Sequence, residues 1–326
     1  MFDGIAVQEG GRMKFKLEVL TPVHIGSGKE TNPAEYYVDP QENRLYHLNT
    51  DALARGLSQQ ELEKLIGAAS KQRYIGDIFD PNLLKSRARY VIPLNDSAKY
   101  YLQSNRTIIK EYIKTAGRVY IPGSSLKGVF LSALMWHVLK ENFGLHRATV
   151  ERILTTRTEK RSEDAKLYGE LLDLSLGLIS GDANKKRFAH WYDISDSDSQ
   201  PSAVSLEVSL ARVAGARRGG ELQVLYETLK PGQAFTFDIK PASTKFSEKE
   251  IIQIAHDYYQ KVLEHDRADI EKGQFLLRIG QGVTAYSTSL LILAAELGIS
   301  DYRVSPPRTR KRIDETTPMG FVRLSY

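Results

Sequence analysis

Apolar residues along this chain switch between a period of two and a helical period, and the order of those switches is the strongest constraint on its fold. Lys14-Phe15-Lys16-Leu17-Glu18-Val19 alternates with period two, as a half-buried strand does, and the pattern runs through Thr21-Pro22-Val23-His24-Ile25 to Gly26-Ser27-Gly28. A short strand pattern at 118–121 stops at Pro122-Gly123. Leu126, Phe130, Leu134, Met135, Val138 and Leu139 then fall on one helical stripe reaching Asn142, with Ser124 or Ser125 placed to cap it. Strand patterns follow at 188–194 and 204–208. A strand pair is expected at 221–226 and 234–239 around the turn Lys230-Pro231-Gly232, with 211–220 as a Gly/Arg loop. The capping box Ser247-Glu248-Lys249-Glu250 opens a helix whose core face carries Ile251, Ile254, Ala255, Tyr258 and Val262. Residues 275–279 read as a strand ending in Gly280-Gln281-Gly282, and a last apolar helix covers 290–297.

Two stretches interrupt this series. Residues 29–116 are a mixed insertion in which Ser58-Gln59-Gln60-Glu61 caps a short helix, and 143–186 is a helical insertion. Without them the order is strand, helix, strand, strand, helix, strand. That is the order of the ferredoxin-like unit also used by RNA-recognition domains, and it argues an α+β fold with helices on one face of an antiparallel sheet. The expected organisation is a flexible leader at 1–12, a core at 13–282 holding the two insertions, and a C-terminal extension with a basic tail at 283–326.

Composition narrows the chemistry. With no cysteine among 326 residues, disulfides, thiolate metal sites and cysteine nucleophiles are excluded. The longest purely apolar run, Leu290 to Ala295, is six residues, against the roughly 20 of a membrane span. No secretory leader precedes the first strand pattern, so a cytoplasmic protein away from membranes is expected. The net charge of +5 is modest, but its distribution is uneven. Arg303, Arg308, Arg310, Lys311, Arg312 and Arg323 face only Asp314 and Glu315 near the C-terminus, and smaller knots stand at Lys185-Lys186-Arg187 and Arg217-Arg218. Such clusters are solvated surface or the footprint of a phosphate-backbone binder.

Lys127 would sit in the first turn of its helix, facing the positive end of the macrodipole, an arrangement relieved if an anion docks on the exposed amides. The alternative is a capped turn whose lysine swings into water. His24, beside a Gly-Ser-Gly turn, is a structural histidine, an RNA contact or a general base. The pairs His256-Asp257 and His265-Asp266 lie nine residues apart on one helix, and steps of about 100° place them on opposite faces. Asp193, Asp196 and Asp198 mimic the start of a calcium loop without its glycine or final glutamate. No spacing in the sequence points to a metal or another cofactor.

These segments resemble those of a known family. Thr21-Pro22-Val23-His24-Ile25-Gly26-Ser27-Gly28 resembles the opening strand and turn of the CRISPR-associated RAMP proteins. Ile121-Pro122-Gly123-Ser124-Ser125-Leu126-Lys127-Gly128 is similar to their most specific segment, and Gly280-Gln281-Gly282 stands where their glycine-rich loop does. The ending, with Pro307-Arg308-Thr309-Arg310 and Pro318-Met319-Gly320-Phe321-Val322, resembles the fifth-subunit family of type III-A (Csm) effector complexes. The resemblance implies a non-catalytic subunit that caps one end of an RNA–protein filament. It would hold the 3′ part of the CRISPR RNA and support its maturation. It would touch the neighbouring backbone RAMP subunit and the small subunit, and meet target RNA only indirectly. The RNA-contacting residues it implies are His24, Gly26, Ser124, Ser125, Lys127, Gly128, Arg217, Arg218, Arg278, Gly280, Gln281, Gly282, Arg308, Arg310 and Lys311. The rival reading is a metal-independent RAMP endoribonuclease with His24 as its general base.

Overall fold

The computed structural model describes residues 7–8, 12–158, 160–180, 192–216, 220–241, 245–266, 270–271, 275–281, 289–301, 311–313 and 317–325. The main elements in chain order are β1 (Arg12–Val19), β2 (Gly26–Thr31), β3 (Tyr36–Asp39), β4 (Arg44–Leu48), α1 (Gln59–Ser70), β5 (Ala88–Pro93), α2 (Asp96–Ser104), β6 (Ile109–Tyr112), α3 (Gly123–Glu141), α4 (Phe143–Thr155) and α5 (Arg161–Ser180). They continue with β7 (Tyr192–Ile194), β8 (Leu206–Ala216), β9 (Gly220–Leu229), β10 (Ala234–Pro241), α6 (Glu248–Asp266), β11 (Leu276–Arg278), α7 (Ser289–Glu296), β12 (Lys311–Ile313), β13 (Thr317–Pro318) and β14 (Phe321–Ser325).

The alternation in β1 does what period two requires. Met13, Phe15, Leu17 and Val19 are buried, while Lys14 and Lys16 are exposed. The first sheet runs β7-β10-β1-β14-β11 with every neighbouring pair antiparallel. Helices α3 and α6 pack on each other over its buried face, where Phe130 and Ile251 line a small apolar cavity with Tyr192, Ile194 and Ile239. The mixed α+β character expected from the sequence is present. One detail differs: the strand next to β1 opposite β10 is the C-terminal β14, and β11 lies outside it. Leu324 pairs with Leu17 and Val322 with Val19, so β14 buries its apolar residues in the same layer as β1.

The second sheet runs β13-β12-β8-β9-β6-β2. Here two expectations fail. Residues 211–216 belong to strand β8 rather than to a loop, because Ala211, Arg212 and Val213 find partners on both sides, in β9 and β12. The segments 221–226 and 234–239 do not pair with each other. β9 joins β8 and β6, whereas β10 joins β7 and β1. The Lys230-Pro231-Gly232 turn passes the chain from one sheet to the other, and the amide of Gly232, at φ +86°, bonds Val19 O at 2.8 Å. The residues 202–205 form a helical turn, so β8 begins only at Leu206.

Within 29–116, β3-β4-β5 form a separate antiparallel sheet, while β2 and β6 at its borders belong to the second sheet. Both expected capping boxes are formed, at Ser58–Glu61 and Ser247–Glu250, and each starts its helix. Helix α3 ends near Asn142 as expected, but it is buried on nearly every side. Val129, Ala133 and Trp136 join the expected stripe because α5 and α7 pack on α3 as well. No helix among the described residues is long and apolar enough to cross a membrane.

Candidate nucleic-acid interface

The link between the first two sheets, residues 20–25, is stitched at nearly every peptide. Leu20 and Thr21 donate to Phe321 O, Val23 exchanges bonds with Leu229, His24 O accepts the amide of Gln281 at 2.8 Å, and Ile25 O accepts that of Ile113. At the end of this link the chain emerges into solvent as Gly26-Ser27-Gly28-Lys29, all exposed. Ser27 holds the turn by donating to Glu111 O at 3.3 Å and accepting the amide of Lys29.

A second glycine turn meets the first at His24. Gly280 has φ +81°, and a Cβ there would lie 2.3 Å from His24 O, so a close approach and a left-handed backbone both demand glycine. A Cβ at Gly26 would press to 3.1 Å from His24 Nε2 and to 3.7 Å from Gln281 Nε2. Four expected site residues therefore converge: Gly26, Gly280 and Gln281 form one ledge over the buried His24. The two glycines leave no Cβ on this ledge, so a sugar–phosphate chain can approach the backbone closely.

His24 itself is only 1% exposed. Its Nδ1 lies 2.7 Å from Glu227 O, and a carbonyl can only accept, so Nδ1 carries a proton, while Nε2 lies on the side of the ring next to Gly26. Tyr226 packs on the ring at 4.6 Å and Tyr112 meets it edge-on at 6.3 Å. Burial pushes the Tyr226 hydroxyl up to about 12, so it stays neutral beside the imidazole. Tyr112 also ties the ledge to the start of α3, since its hydroxyl donates to Tyr120 O at 3.1 Å.

At that helix start the structure corrects the expected capping. Pro122 occupies the cap position, neither Ser124 nor Ser125 caps, and the first amide, Gly123 N–H, donates to Asp196 Oδ1 at 2.7 Å. The anion on the first amide is a carboxylate of this same chain. Gly123 is irreplaceable for a different reason, because a Cβ would stand 2.3 Å from Ile194 O. Ser124 and Gly128 remain exposed and Ser125 and Lys127 half-buried, so their side of the first turn faces outward. Asp198 likewise accepts the amide of Thr236. Among the described residues no group of three or more His, Asp or Glu is placed to hold a metal ion.

Arg278 is a second correction. It is 1% exposed, ion-paired to the equally buried Asp266, and its Nε donates to Met319 O at 3.0 Å. Its charge is consumed inside the protein and it offers no cation to RNA. Arg217, Arg218, Gly282, Arg308 and Arg310 lie outside the described residues. Of Lys311 only the backbone is described, paired with Val213.

Beneath the ledge lies an acid–base network that no sequence motif marked. Glu227, 1% exposed, accepts from the Tyr90 hydroxyl at 2.5 Å and the Tyr112 amide at 2.8 Å, and pairs with Lys114. Next to it Thr31 donates to Glu111 at 2.9 Å, which leaves its oxygen to accept from His47 Nε2 at 2.8 Å. The His47 contact, with Lys114 and Thr31, holds the Glu111 carboxyl down to about 2. The signal for Glu227 was available: an acid at an inward position of a strand, between Leu225 and Leu229.

The family model of the RAMP superfamily matches residues 16–282. A protein of Methanocaldococcus jannaschii named CRISPR system Cms protein Csm5 is 26% identical over 211 residues, covering 59% of this chain and 44% of that relative's length. Among solved structures, the crystal structure of T. onnurineus Csm5 superposes with a TM-score of 0.67 at 23% identity, covering 94% of this chain and 99% of that one. A chain of the Csm–crRNA–target RNA ternary complex of a type III-A CRISPR–Cas system, solved by cryo-EM, gives 0.68 at 22% identity over 96% and 100%.

Proposed function

The chain belongs to the RAMP superfamily, and from that premise we propose that it is a non-catalytic RNA-binding subunit of a type III-A CRISPR effector complex. In this reading it stands in the place of Csm5, holds the 3′ part of the CRISPR RNA at one end of the filament, and contacts the adjoining backbone and small subunits. The observation that carries the reading is the meeting of two glycine turns at His24, where only glycine fits at position 280. The exposed Lys29 beside the ledge and Lys127 in the outward first turn of α3 supply cations for a phosphate chain. The likeness in fold to Csm5 and to a chain of a Csm–RNA complex supports the same assignment.

The architecture fits a ferredoxin-like unit with one rearrangement. In β7-β10-β1-β14, both β10 and β14 run antiparallel to β1, and α3 and α6 cover one face. The C-terminal strand β14 takes the position beside β1 that the strand after α6 would otherwise fill. An endoribonuclease needs a base within reach of a 2′-hydroxyl. The burial of His24 between Tyr226 and Tyr112 instead suits a structural role under the ledge.

The test is titration of the purified protein with the 3′ and 5′ portions of CRISPR RNA across a salt series. Preferential binding of the 3′ portion is expected, and Lys127→Ala should lower the slope of log affinity against log salt by roughly 0.7, about one phosphate contact on a single strand. Equal, salt-insensitive binding of both portions contradicts the proposal. A discrete cut of repeat RNA in EDTA, lost in His24→Ala, would make the protein an enzyme.

A further inference from the structure

The sheet inserted between β2 and β6 reaches the glycine ledge through one buried carboxylate. Tyr90, on β5 of that sheet, donates its hydroxyl to Glu227 Oε1 at 2.5 Å, and its ring stacks on His47 of β4 at 4.7 Å. Lys114 lies 2.9 Å from the same hydroxyl and pairs with Glu227 Oε2, which also accepts the Tyr112 amide. The main-chain carbonyl of Glu227 accepts the proton of His24 Nδ1, and the carbonyl of His24 accepts the amide of Gln281. Hydrogen bonds thus join Tyr90 to the Glu227 side chain, the Glu227 main chain to the His24 ring, and the His24 main chain to Gln281, with the covalent frame of Glu227 and of His24 completing the path. A carboxylate this deeply buried is tolerable only while its donors stay in place. The Tyr90 donor comes from the inserted sheet and the Lys114 donor from the segment just after β6, not from β9 itself.

We propose that Tyr90 and Glu227 are positioning residues for the ledge. Docking of the inserted sheet anchors the Glu227 carboxylate and with it the stretch of β9 whose carbonyl orients the His24 ring, and the main chain of that anchored His24 holds the Gly280–Gln281 turn in the shape that receives an RNA phosphate. The insertion thereby sets the geometry of RNA binding as well as adding to the core. This inference rests on the RNA-binding reading of the ledge and adds a source of control to it.

The decisive variant is Tyr90→Phe, which keeps the ring and its stacking on His47 and deletes the hydroxyl that donates to Glu227 and accepts from Lys114. In the assembled complex with CRISPR RNA, the Gln281 amide is expected to exchange with solvent about tenfold faster, the scale of one lost hydrogen bond to a charged group. Amides in the middle of α6 should keep their wild-type rates. RNA affinity should fall by a similar factor. Combined with Gln281→Ala, Tyr90→Phe should then add less than its own single effect. Lys114→Met removes another donor to the same carboxylate and is read in the same way if Tyr90→Phe fails to accumulate. Unchanged Gln281 exchange, or strictly additive losses of affinity, overturns the positioning role. Faster exchange at Gln281 with RNA affinity unmoved in both Tyr90→Phe and Gln281→Ala supports the structural coupling and overturns the RNA-binding reading on which its purpose rests.

Discussion

Arg278→Met is the sharpest way to separate a structural arginine from an RNA contact. The guanidinium is 1% exposed, the Asp266 side chain 3%, and the ring of Phe321 lies 5.2 Å beneath the charge. The pair joins the last residue of α6 to β11, and the Nε bond to Met319 O adds the turn before β14. Removing one member leaves an uncompensated buried charge, which costs about 3–5 kcal/mol. Replacing both with apolar residues of similar size removes that penalty, so Arg278→Met with Asp266→Leu should recover most of the loss. Urea unfolding of the two single variants and the double variant measures the three stabilities directly. Two singles destabilised by several kcal/mol, with a double close to wild type, are expected. If Arg278→Met leaves the unfolding midpoint in place and instead weakens RNA binding with a shallower salt slope, the burial argument fails.

Two further outcomes follow from the same geometry. Glu111 is held down to about 2 in the folded protein by His47, Lys114 and Thr31, against roughly 4.3 for an unperturbed glutamate. Its folded pKa is depressed, so its stabilisation, at most about 3 kcal/mol, is complete above the unfolded pKa and lost as pH falls through about 4 towards 2. Glu111→Gln should flatten that part of an acid-unfolding curve, and an unaltered curve would contradict the assignment. Gly280→Ala places a Cβ 2.3 Å from His24 O at φ +81°. It should cost at least the roughly 1–2 kcal/mol of a left-handed non-glycine residue and weaken RNA binding, whereas Gly28→Ala, with open space around it, should show only the backbone penalty.

What the sequence disclosed was local, and what it hid was pairing. Capping boxes at Ser58 and Ser247 are readable because the donor and acceptor lie three residues apart. The alternation of β1 names its buried face for the same reason. Alternation does not say which strand lies alongside, and so β9 and β10, adjacent in the chain, end in different sheets while β14 arrives from the far end of the chain to flank β1. The ledge was half legible: glycines beside His24 and after Ile279 marked two turns, but their meeting depends on long-range contacts. Arg278 misled because basic residues suggest a surface. Its place within the buried run Leu276-Leu277-Arg278-Ile279 was the contrary signal, and the partner that makes burial tolerable, Asp266, lies on another element.

On the proposed function, RNA lies on the ledge. Zero-length photocrosslinking of the assembled complex with CRISPR RNA, read by mass spectrometry of the peptides, tests it most directly. Crosslinked residues are expected within 24–29 and 279–281, together with the first turn of α3 around Ser124 and Lys127. Crosslinks confined to other surfaces, such as the outer side of α1 or α4, with these segments unmarked, would contradict it.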